Sequence, residues 1–93
     1  MDKIKRHAEL CQQLQEVYEQ KNNAYGDSFG KSFADWGISA ACVRMGDKWN
    51  RIVNLAKHPE INHGDEAITD SLVDLANYCL MTVMELENFN ELQ

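Results

Sequence analysis

DEAITDSLVDLANYCLM, residues 65–81, decides the fold class. Its apolar residues recur at helical spacing: Ile68, Leu72, Leu75 and Cys79, continued by Val83 and Leu86, form one stripe of a helix. The pattern runs from Asp65 or Glu66 to near Asn90, and the acids at its start complement the positive end of the helix dipole. On the opposite side lie Glu66, Asp70, Asp74 and Asn77, which share an arc of roughly 80° at about 100° per residue. Followed toward the C-terminus, this acidic stripe reaches Met81 and Met84, and from Leu75 to Met84 the helix is apolar nearly all round. Helices of that kind are buried. The acids therefore either enter a covered surface, where carboxylates need cationic partners, or form a solvated face opposite the core stripe.

The rest of the chain extends the same architecture. Residues 2–25 read as a first helix, with Ile4, Ala8, Cys11 and Tyr18 at helical spacing and Gly26 placed as its stop. A second helix is expected from Ser39, as N-cap, to about Lys57, with Ile38, Cys42, Met45, Trp49, Ile52 and Ala56 as its core stripe. Gly46 inside it costs roughly 1 kcal/mol relative to Ala, which close packing against a neighbour would explain. Between these helices, GDSFGKSFADWG at residues 26–37 reads as an irregular loop dense in aromatics. His58, Pro59 and Glu60 end the second helix, and a loop carries the chain past His63 to Gly64. The expectation is an all-α protein: a single domain over residues 1–93, with three long helices in an antiparallel bundle completed by oligomerisation.

Composition narrows the partners. Nine basic against fifteen acidic side chains give a net charge of −6, which disfavours bulk nucleic acid and anionic membranes but not one small phosphorylated ligand. No apolar run approaches the ~20 residues of a membrane span. Cys11, Cys42 and Cys79 form no CxxC pair and fall on the apolar stripes, so they read as reduced core thiols of a cytoplasmic protein.

Candidate ligand-binding residues lie off the core stripes. Arg44, Asp47, Lys48 and Arg51 share an arc of roughly 100° on the second helix, suited to phosphate oxygens with Asp47 orienting an arginine. The alternative is a solvated, salt-bridged face. Lys21 and Lys31 offer charge near the aromatic segment, while Tyr25, Phe29 and Trp36 offer flat faces for a base or plug the end of the bundle. Asp70, Asp74 and Asn77 would orient those cations or accept hydrogen bonds from a ribose or base. The histidines lack metal-ligand spacing, and no catalytic residue is assigned.

Taken in order, KNNAYGDSF, RMGDKWNRI and DEAITDSLVDLANYCLM resemble a phage family, the nucleotide modification associated domain 1, over about residues 20–86. That family looks related to all-α NTP pyrophosphatases of the MazG-like class, helical oligomers that hold Mg²⁺ through ExxE and ExxD motifs. The resemblance implies a nucleotide pocket, with Asp74 at the place of the second motif's Asp. For a Mg²⁺-dependent hydrolase the metal set would be Asp47, Glu66, Asp70 and Asp74. The two Glu of the first motif are absent, since RMGDKWNR supplies Asp47 as its one acid. The expected function is capture of a small phosphorylated nucleotide, a cyclic nucleotide or cyclic ADP-ribose-type immune signal, without turnover and without a required cofactor. A Mg²⁺-dependent NTP or dNTP pyrophosphatase and a helical interaction module are the alternatives.

Overall fold

The computed structural model describes residues 1–61 and 65–92, the last four by backbone alone. The expected loop residues His63 and Gly64 lie outside the described residues. All the described elements are helices: α1 (Lys3–Tyr25), α2 (Ser28–Trp36), α3 (Ile38–Lys57) and α4 (Glu66–Leu92). The all-α class is as expected, but four helices replace three.

The additional helix is the segment read as a loop. Asp27 adopts the left-handed conformation (φ 56°) and its carboxylate accepts from the Gly30 amide, an N-cap. A Cβ at residue 30 would collide with that carboxylate, so glycine there keeps the cap in place. Phe29 and Phe33, one turn apart, then face the same way and are buried. Gly37 ends α2 at φ 67° and ψ −154°, a region open essentially to glycine, and the chain turns directly into α3. Gly37, rather than Ser39, is therefore the N-cap of α3, with no side-chain cap.

The main packing joins α3 to α4, with α2 against α3 and α1 against α4. The core centres on Phe29, Phe33 and Ala41, with Met45, Tyr78 and Met81 around it. Phe29 lies 6.4 Å from Phe33 and 5.7 Å from Tyr78 between ring centroids, within the range of favourable aromatic pairs. Ile52 and Leu55 extend the buried side of α3. On α4 the buried polar residues are Ser71, Asn77 and Thr82. Ser71 and Thr82 donate their hydroxyls to the carbonyls of Ala67 and Tyr78 in their own helix, so neither is left unsatisfied.

Several expected core positions face outward instead. Ile38, Cys42 and Trp49 of α3, and Leu72, Cys79, Val83 and Leu86 of α4, are exposed within the chain, as is Cys11 of α1. The helices pack on neighbouring faces, rotated from those stripes, because α2 supplies a rigid aromatic wedge that the loop reading lacked. Helix α1 runs for 23 residues yet buries none. It is held at its ends by Asp2, which accepts from the Lys5 amide, and by Gly26, whose amide donates to the Asn22 carbonyl.

Phe33→Ala is expected to destabilise the fold by about 3–5 kcal/mol in urea denaturation, because the small core around α2 has nothing to refill the space. A loss under about 1 kcal/mol would mean that α2 is not the wedge described.

Candidate functional site

A cleft of about 330 Å³ opens where α1, α3 and α4 meet the start of α2. Each helix contributes side chains on one face. Tyr18, Lys21, Asn22 and Tyr25 come from α1, Arg44 and Lys48 from α3, and Asp74, Asn77, Tyr78 and Met81 from α4. Asp27, Ser28 and Phe29 close the side at the α2 N-terminus.

Asp74 sits at the centre of the polar half. Its Oδ1 accepts from Lys21 Nζ at 2.9 Å and its Oδ2 from Lys48 Nζ at 3.0 Å, so one carboxylate of α4 ties α1 to α3. Burial pushes the Asp74 carboxyl up, but the hydrogen bonds and charges of Lys21 and Lys48 outweigh it and hold it below the usual carboxylate range. The Asp74 hydrogen bond in turn raises Lys21 above the usual lysine value, against a smaller opposing effect of burial. One turn along α4, the Asn77 amide donates to the Leu14 carbonyl at 3.2 Å, a second tie between α1 and α4. Arg44 makes no ion pair among the described residues.

The cleft holds three cationic groups, Lys21, Arg44 and Lys48, against the carboxylates of Asp27 and Asp74. In a chain of net charge −6 it is a local surplus of positive charge. The α2 N-terminus is not its anion site, because the Asp27 carboxylate already occupies the Gly30 amide. The apolar half is formed by the tyrosines and by Phe29, whose ring is packed into the core and serves as floor.

Of the residues singled out in the sequence, Lys21, Tyr25, Phe29, Arg44, Lys48, Asp74 and Asn77 line this cleft. Trp36, Asp47, Arg51 and Asp70 are exposed and do not. Trp36 closes α2 at its far end, while Asp47 and Arg51 lie round α3 from the cleft. Tyr18, Asn22 and Tyr78 were missed. Spacing marks Tyr18 only as one of the recurring residues of α1, yet a weak signal exists for it: it lies three residues from Lys21 on the same helix face. Among the described residues no three His, Cys, Asp or Glu side chains come together as a metal site. Asp47, Glu66, Asp70 and Asp74 are thus not assembled as a carboxylate cluster.

The chain matches the family model described as nucleotide modification associated domain 1 over residues 21–86. It belongs to that family. The matched region begins at Lys21 and runs through Asp74, so it takes in both lysines of the clamp, Arg44 and the whole of α2. Residues 3–20 of α1 lie outside it. No curated protein and no solved structure matches the chain. No helix among the described residues is long and apolar enough to cross a membrane.

The Asp74 clamp has a defined pH signature. A carboxyl whose folded pKa is lowered contributes stability that is fully present above its unfolded value of 3.8 and is lost as pH falls through the folded value. Lys21, raised from 10.5, contributes below that value and loses its contribution as pH rises through the folded pKa. The gap in urea midpoint between the wild type and Asp74→Asn should therefore be widest near neutral pH and shrink below about pH 3.8. A gap independent of pH would show that the carboxylate charge does not hold the two lysines.

Proposed function

We propose that the protein captures a small phosphorylated nucleotide in the cleft without turning it over. The observation that carries this reading is an unpaired Arg44 beside two lysines already oriented by Asp74, in a cleft walled by tyrosines. A guanidinium without an internal partner is available for bidentate contact with phosphate. Lys21 and Lys48 are held in place before a ligand arrives, which reduces the entropy lost on binding. Their remaining donors can reach a phosphate while Asp74 keeps one bond to each. Tyr25, Tyr18 and Tyr78 offer ring faces to a base, and Asn77 and Asp27 offer acceptors to a base edge or sugar hydroxyls.

Size supports one nucleotide unit rather than a polymer: 330 Å³ lies at the lower end of small-molecule sites. Membership of a nucleotide-modification-associated family supports a nucleotide as ligand. A cyclic nucleotide or a cyclic ADP-ribose-type signal suits the same chemistry, with its phosphate or pyrophosphate on Arg44 and the lysines. A metal-dependent pyrophosphatase needs several carboxylates free to bind cations. Here Asp74 is engaged by two ammonium groups, and among the described residues no other acids join it in a cluster of three. Capture is therefore the reading favoured over hydrolysis.

The decisive test is to heat-denature the purified protein and identify released small molecules by mass spectrometry, alongside calorimetric titration with a nucleotide panel. The expected outcome is an intact nucleotide, bound with or without Mg²⁺ and recovered unchanged after incubation. Release of pyrophosphate or monophosphate would replace capture by hydrolysis. Arg44→Ala should weaken binding about tenfold or more, a loss of roughly 1.4 kcal/mol, with the melting temperature of the ligand-free protein unchanged. Undiminished affinity in that variant would remove phosphate recognition from this cleft.

A further inference from the structure

Helices α3 and α4 each carry two apolar faces, and the chain's own core uses one. The ion pair Lys48–Asp74 and the 3.8 Å approach of Cys79 Sγ to Met45 Sδ set their antiparallel register. In that register Ile38 of α3 lies level with Leu86 of α4, Cys42 with Val83, and Trp49 with Leu75. The outward stripes of the two helices therefore form one continuous strip, turned away from the α4 face that lines the cleft. It is well exposed: Trp49 is 56%, Val83 51% and Leu72 47% accessible. None of its positions carries a charge.

Gly46 lies beside this strip. A Cβ there would meet nothing within 4 Å, so nothing in the chain itself accounts for a glycine in the middle of α3. Glycine within a helix is unfavourable unless another backbone comes close. The accessible surface points the same way. It measures 7080 Å², against about 5,500 Å² for a compact monomer of 10.7 kDa. The excess, roughly 1,600 Å² over the whole chain and shared with α1, which buries none of its residues, leaves room for the ~800 Å² per partner of a standard interface.

We infer that a second copy of this chain docks on the α3–α4 strip, with Gly46 at the point where helices of the two copies cross. The strip lacks the charges by which a nucleic acid or an acidic peptide would be recognised. A chain of net charge −6 is also poorly suited to anionic lipid headgroups. A like surface, apolar and uncharged, satisfies it by pairing about a two-fold axis. The inference is independent of what the cleft binds, because the cleft lies on another face of α4.

Sedimentation equilibrium tests it. The wild type should weigh about twice the 10.7 kDa chain at micromolar concentration. Trp49→Glu and Leu72→Glu should sediment as folded monomers with unchanged helical circular dichroism, and Gly46→Leu should weaken association at least about tenfold. Met84→Glu, in the groove between α1 and α4 that meets the strip only at Val83, turns away from the strip and should leave the dimer intact. A monomeric wild type, or a dimer abolished by Met84→Glu and untouched by Trp49→Glu, overturns the inference. Should the glutamate variants fail to fold, Trp36→Phe leaves Trp49 as the one tryptophan. Its emission should shift to longer wavelength as the protein is diluted through dissociation, and constant emission overturns the inference equally.

Discussion

One carboxylate organises this molecule. Asp74 projects from α4 and receives an ammonium from α1 on one oxygen and an ammonium from α3 on the other. Each ion pair is partly exposed, and alone is worth on the order of 0.2–1 kcal/mol. Their importance is geometric. Helix α1 buries none of its residues, so its placement on α4 depends on specific polar ties, Lys21 to Asp74 and Asn77 to the Leu14 carbonyl. These ties set the width of the space between α1 and α4, and thereby the cleft.

Helix α2 sets the remaining boundary. Gly26 and Asp27 both take left-handed conformations, which reverse the chain between α1 and α2 within two residues. Gly37, at φ 67° and ψ −154°, joins α2 to α3 in one residue. Short, conformationally restricted connections hold Phe29 and Phe33 against Ala41 and Tyr78, and Phe29 becomes both core and cleft floor. The cleft is thus built from groups whose positions are fixed by other contacts, the condition under which a small site binds with little reorganisation.

The apolar periodicity of α3 and α4 was legible, but its phase was not. Both helices repeat apolar residues on two faces, and α4 is apolar nearly all round from Leu75 to Met84. Spacing identifies each stripe as buried in something without saying in what. On α3, Met45 and Ile52 turn inward as expected, yet Ala41 and Leu55 complete the inner face while Ile38, Cys42 and Trp49 turn out. The same ambiguity left Lys48 off the core stripe, as a phosphate contact or part of a solvated face, and the structure half-buries it against Asp74. The acidic stripe divided likewise: Asp74 and Asn77 are covered, and Asp70 is exposed.

What the sequence by itself determined is local: helices wherever residues of period 3.6 run between glycines and a proline, the stops at Gly26 and His58, and a set of cations and aromatics off the strongest stripes. It also contained the motifs that place the chain in its family. The helix α2 escaped because its signals, an aspartate cap and a pair of phenylalanines one turn apart, lie among three glycines that read as loop. The tertiary structure alone decided which stripe faces inward and which candidates share a site. Those choices rest on pairs such as Lys21 and Asp74, separated by 53 residues, whose meeting no local periodicity encodes.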